Sequence, residues 1–152
     1  MNWIMARLEK EIRRFRTADP FEIAAGRNIL IRYFPLGSTL GFYMKNARRQ
    51  PIITLNSNLQ DFEKLYTCCH ELGHAILHPN ENTPFLNQNT IQSKGKIENQ
   101  AHYWATMEIM KYRHTRVDQY ETSGELIKEN GIPYEMEKFF DINQNIHSLE
   151  RR

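Results

Sequence analysis

A chain of 152 residues with a formal net charge of +2 and 25% charged residues has room for one packed core and not for two independent ones. Charges so near balance give no electrostatic reason to expect a nucleic-acid or membrane partner. No apolar stretch approaches the length needed to span a bilayer, and the start, MNWIMARLEKEIRRF, has too short an apolar run for a secretory signal, so the expected location is cytoplasmic.

In chain order, Trp3, Ile4, Leu8, Ile12 and Phe15 fall at helical spacing with Lys and Arg between them, which predicts an amphipathic helix over residues 3–15 with a solvated basic face. TADPFEIAAGRN then offers Asp19 as an N-cap, Pro20 at the first helical position and Gly26 as a stop, predicting a short second helix. From Asn28 the pattern changes to short β-rich runs, NILIRYF, STLGFYM and QPIITLN. They are separated by PLG and KNARRQ and are expected to form a three-stranded antiparallel meander. Arg48 and Arg49 in the second turn read as solvated loop charges.

NSNLQDFEKLYTCCHELGHAILHP carries apolar residues at helical spacing from Leu59 to Leu77, with Ser57 or Asn58 expected as the cap and Pro79 ending the helix at or before His78. Cys68 and Cys69 are adjacent on this helix, a poor geometry for a disulfide. They read as small buried apolar residues, with thiolate ligation of a metal as the alternative. A polar loop is expected over residues 80–96, long for a compact domain and placed to border a substrate cleft. A further helix follows from Ile97 through Met110. After that come a helix stopped at Gly131 and a last helix opened by Pro133.

The chemistry sits in HELGH, residues 70–74. At 3.6 residues per turn His70 and His74 share one helix face, one turn apart, so both imidazoles reach a single metal ion. Glu71 lies one step round, where a carboxylate can take a proton from water as general base. A catalytic zinc site takes three protein ligands and keeps one open position, so a third ligand is required from elsewhere. Glu98, at the start of the next helix in KIENQAHYWATMEIM, is preferred, with His78, a turn beyond His74, as the less favoured rival. His102 lies four residues after Glu98 on the same face, where it can support a metal-binding histidine or line the pocket. Tyr103 and Trp104 read as core residues, although Tyr103, with His102, is also a candidate oxyanion stabiliser. His114 and His147 have no constellation around them.

Taken together, DPFEIA, LGFYM followed by PIITLN, HELGHAILHP, NTPFLNQNT, KIENQAHYWA and NGIPYEM resemble the ImmA/IrrE family of zinc metallopeptidases, especially the small members encoded by bacteriophages and integrated mobile elements. The resemblance runs from about Asp19 to Met136. It implies a minimal zincin, gluzincin-like α+β fold, with the small antiparallel sheet packed on helices and H-E-x-x-H on a central helix. Residues 1–18 form a helical extension to a single metallopeptidase domain whose family core spans 19–140. It further implies one zinc ion per chain held by His70, His74 and the Glu98 of ENQA, with Glu71 activating water. The implied setting is bacterial or phage-host cytosol, and the implied substrate is a helix-turn-helix repressor whose cleavage ends repression. Neither nucleic acid nor membrane is expected as a direct partner. The chain departs from the family pattern at His102, where Asn or Asp is usual, and at MEIMKY, where many members have a Leu-Leu-Met-Pro-like end. Manganese or iron also suits two histidines and a carboxylate. The competing functional class is a non-hydrolytic binding module that acts on a regulator by complex formation. An intact Glu71 argues against it.

Overall fold

The structure is a computed structural model and describes residues 1–84 and 91–140, with the backbone alone over 91–94. The sequence element NTPFLNQNT therefore lies partly, and His147 wholly, outside the described residues.

Helix α1 (Asn2–Phe15) buries Ile4 and Leu8 and leaves Trp3 exposed. Its one buried charge, Glu11, is paired with Arg7 at 3.5 Å and with Arg27 at 3.6 Å. The second contact ties α1 to the end of helix α2 (Pro20–Gly26), whose N-cap Asp19 accepts a hydrogen bond from the Phe21 N–H at 2.8 Å. The proline-led start and the glycine end of α2 are as the sequence predicts.

Strands β1 (Leu30–Phe34), β2 (Gly41–Lys45) and β3 (Pro51–Asn56) form a sheet in the order β1-β3-β2. β2 and β3 are antiparallel, but β1 and β3 are parallel, with Leu30 opposite Ile52 and Phe34 opposite Asn56. The expected antiparallel meander is therefore corrected to a mixed sheet. β3 is buried from Ile52 to Asn56, whereas Leu30, Phe34 and their neighbours are half-exposed or exposed, as expected of a central strand beside an edge strand. Residues 35–40 must then cross about 10 Å, two strand spacings, well within the reach of six residues. Asn56 holds that crossing in place: its side-chain amide donates to the Gly37 and Thr39 carbonyls, both at 2.9 Å, and its backbone N–H donates to the Leu40 carbonyl. A strand-end Asn carries no sequence signal for this task.

Helix α3 (Asp61–Leu77) is capped by Gln60 and not by Ser57 or Asn58. Gln60 and Glu63 form a reciprocal capping box, with the Gln60 N–H donating to Glu63 Oε1 at 3.2 Å. Every residue from Tyr66 to Ile76 is buried, because the sheet, α1 and α2 cover one side of the helix and the C-terminal elements the other. Helix α4 (Ile91–Tyr112) begins six residues before the predicted Ile97. Between Gln92 and Lys96 the sequence has no apolar residue to reveal a helical period. The predicted 80–96 loop is accordingly shorter. α3 and α4 meet at Gly73, where a Cβ would stand 3.0 Å from Trp104 Cγ and 3.1 Å from its Cβ, so any larger residue needs Trp104 to give by a few tenths of an ångström. Helix α5 (Ser123–Glu129) stops before Gly131, whose φ of 66° is left-handed. The segment opened by Pro133 is a 3-10 turn over Tyr134–Phe139 rather than an α-helix. No helix among the described residues is long and apolar enough to cross a membrane.

Candidate metal and catalytic site

Close packing of α3 on α4 sets one helix turn of each against the other. His70 Nε2 lies 3.2 Å from Glu98 Oε2, and His74 Nε2 lies 3.1 Å from Glu98 Oε1. One carboxylate thus spans both imidazoles, and the three residues named from spacing and adjacency stand together. Burial by itself would raise the Glu98 carboxyl, but the facing His70 and His74 hold it well below the usual carboxylate range.

His78 does not face Glu98. Its Nδ1 lies 3.2 Å from His74 Nδ1, and its Nε2 lies 2.7 Å from Gln100 Oε1. With the Gln100 oxygen accepting, His78 Nε2 carries the proton and Nδ1 is an acceptor. Burial keeps His78 below its ordinary pKa and therefore neutral. A neutral His74 then donates through Nδ1–H and turns the lone pair of Nε2 toward Glu98, whereas a protonated one donates to both neighbours. His74 is fully buried, and Nε2 has no well-aligned hydrogen-bond partner despite its 3.1 Å contact. In the neutral form the two facing acceptors repel unless a proton or a metal ion is shared between them. The donor set fits a divalent metal, and His78 is turned to His74 and Gln100 rather than to Glu98.

Glu71 lines the same cleft while only 5% exposed. Burial pushes its carboxyl up to about 7, against the opposing charge of His70 and with the help of Glu98. A carboxyl there gains and loses a proton near neutrality, as a general base must. Thr83 stands 3.4 Å from Glu71 Oε2, and the same hydroxyl accepts from the Tyr43 N–H at 2.7 Å. The loop after α3 is thus pinned to the outer edge of β2 beside the base. Asn82 adds a second pin, accepting from the Lys45 N–H at 3.0 Å. The cleft, about 610 Å³, runs between this edge and the two helices, with Gly41, Thr83 and Pro84 on one side and His70, Glu98 and His102 on the other. Only the start of the 80–96 segment can be placed at the cleft, since 85–90 lie outside the described residues.

His102 reaches the site; Tyr103 does not. His102 Nδ1 is 2.9 Å from the Tyr66 hydroxyl, and its ring centroid is 4.2 Å from that of His70. Burial first, and the charge of His70 second, pushes its pKa down to about 3, so the ring is neutral. Ligand-capable atoms of His70, Glu98 and His102 all lie within 4.8 Å of one another. Tyr103 packs against Phe139, with ring centroids 5.4 Å apart, and is not among the residues lining the cleft. Cys68 and Cys69 are buried free thiols, and both are pushed well above their usual range by burial. That keeps them protonated, unlike a thiolate ligand. Sequence reasoning missed Tyr66, Thr83 and Gln100. Tyr66, four residues before His70, does share the motif's helical face, but that spacing is equally the spacing of a core residue; Gln100 acts from the neighbouring helix, and Thr83 sits in a loop with no period at all.

Residues 24–139 match Peptidase_M78, described as the IrrE N-terminal-like domain. The protein described as "Uncharacterized immunity region protein 2" of Bacillus phage phi105 is 33% identical over 148 residues, covering 93% of this chain and 90% of that protein. Both matches take in the H-E-x-x-H helix, the sheet before it and the helix that carries Glu98. The chain therefore belongs to the Peptidase_M78 family, that of the IrrE N-terminal-like domain.

Proposed function

We propose that this protein is a zinc-dependent endopeptidase that cleaves a helix-turn-helix repressor of a phage or mobile element and so relieves repression. The observation that carries this reading is the opposition of His74 Nε2 and Glu98 Oε1 at 3.1 Å, two acceptors that need a cation, beside a buried Glu71. His70, His74 and Glu98 would hold the ion, which when bound supplies Lewis-acid polarisation of the scissile carbonyl and acidifies water. Glu71 takes the proton from the attacking water and passes it to the leaving amine. Gln100 and His78 keep His74 in the tautomer that presents Nε2. The mobile-element setting is supported by the relative from the immunity region of a phage.

The test is incubation of the metal-loaded protein with the repressor encoded by the same element, with and without chelator. The expected result is discrete repressor fragments that vanish with chelator, together with loss of bound zinc in Glu98→Ala and its retention in His78→Ala. A stable complex without fragments would replace the peptidase with a binding module.

A further inference from the structure

The family pattern takes three ligands from this site, yet the two packed helices present four ligand-type side chains in matched positions. His70 and His74 are four apart on α3; Glu98 and His102 are four apart on α4. In each pair the residues stand one turn apart on one face.

We propose that His102 is a fourth protein donor to the metal, through Nε2, with the Tyr66 hydroxyl as its outer partner. The inference rests on the metal-bearing reading of the site given above. Three observations converge on it. Atoms able to ligate on His70, Glu98 and His102 lie within 4.8 Å of one another. Donors on one zinc ion, at about 2.0–2.2 Å each, are at most about 4.4 Å apart, so these three stand within a few tenths of an ångström of a shared-ion spacing. The imidazole of His102 sits 4.2 Å from that of His70, a close approach of two rings that a shared cation favours. Tyr66 meets Nδ1 at 2.9 Å, which is how histidine ligands are ordinarily held: the ring nitrogen away from the metal donates its N–H to an oxygen, and that fixes the other nitrogen as the donor. Gln100 and His78 do the same for His74 by a longer route. His102 lines the open cleft, whereas His74 is fully buried, so His102 is the donor at the rim. Zinc accepts a fifth donor, so water keeps a place beside four protein ligands.

The experiment uses the full-length protein with ring-15N histidines, loaded with 113Cd as a zinc surrogate and read by NMR. The expected result is cadmium–nitrogen coupling to three imidazoles, assigned by its loss in His102→Asn, with two couplings left in that variant. X-ray absorption on the zinc form should likewise fall from three imidazoles to two. Tyr66→Phe should weaken or abolish the His102 coupling and leave the other two in place. Coupling confined to His70 and His74 in the unaltered protein would overturn the inference while leaving the metal centre intact, and His102 would then be a cleft-lining donor. That readout needs no variant to fold. Failure to take up any ion would overturn the metal centre itself, and this inference with it.

Discussion

The seam between α3 and α4 holds an acid at each end, Glu108 buried and Glu98 partly exposed, and treats them in opposite ways. At the core end Glu108 is fully buried, with Oε1 accepting from Trp104 Nε1 at 2.8 Å and Oε2 without a partner. Burial pushes its carboxyl well above the usual range, against the hydrogen bonds from Trp104 and Cys69. It is a neutral acid that resolves its desolvation by keeping its proton. At the cleft end Glu98 is held ionised and faces two imidazole nitrogens, one of which has no aligned partner. A buried carboxyl is therefore no mark of a site by itself. Acceptors set against one another, supported from behind so that neither can turn away, are such a mark, because that arrangement is stable only around a cation.

The largest effect expected of a single change lies at the cleft end. Glu71→Gln keeps the side chain's shape and its contact with Thr83 but removes the base. Repressor cleavage should fall on the order of a hundredfold to ten-thousandfold, with zinc content unchanged by elemental analysis. Cleavage at the unaltered rate would show that the buried carboxyl at the cleft is as idle as the one in the core.

Between the two ends lies Gly73, and Gly73→Ala would wedge the seam apart. Alanine in a helix interior gains roughly 1 kcal/mol over glycine. The added methyl, however, would meet Trp104 at 3.0–3.1 Å, and Trp104, fully buried and hydrogen-bonded to Glu108, would have to shift by a few tenths of an ångström. Overpacking costs about 1–3 kcal/mol and should win. Urea unfolding should show the net loss, and zinc affinity should fall with it, since Glu98 is carried away from His70 and His74. A variant of unchanged stability and affinity would mean that helix contact does not set the metal geometry.

How far the sequence foretold this arrangement depends on which interactions are periodic. The meeting of His70 and His74 with Glu98 was legible because two histidines four apart share one helix face and a carboxylate was expected on the helix packed beside it, although Glu98 lies two turns inside α4 rather than at its start. The two helices flanking the seam were legible from apolar spacing, except where α4 begins in a polar stretch. The sheet order was not legible: three short strands carry equal local signals, and the choice of β3 as centre depends on total burial and on Asn56 holding a crossing loop. The supporting groups were hidden for a related reason. Gln100 and Thr83 act across elements that approach only after packing, and His78 could be placed within reach of His74 but not assigned between ligand and support until its second nitrogen was seen on Gln100.

The smallest expected effect is also the sharpest probe of the contrast, and it concerns Glu108. An unfolded glutamate titrates near about 4.3, whereas burial keeps Glu108 protonated well above that in the folded chain. Above about pH 4.3 the unfolded state has therefore released a proton that the folded state retains, and stability declines as pH rises, by at most about 1.4 kcal/mol per pH unit for one group. The contribution is complete below the unfolded value and is lost as pH climbs toward the folded one. Glu108→Gln cannot ionise, still offers an oxygen to Trp104, and should remove this slope. Glu71, raised in the same direction to about 7, adds a decline of its own, but it is present in both proteins and cancels in the difference. Urea midpoints between about pH 5 and pH 8 should then converge at the acid end, with the variant the more stable at the alkaline end and its zinc content untouched. Parallel pH profiles for the two proteins would mean that Glu108 ionises as readily in the core as in water, and the contrast between the two ends of the seam would then fail.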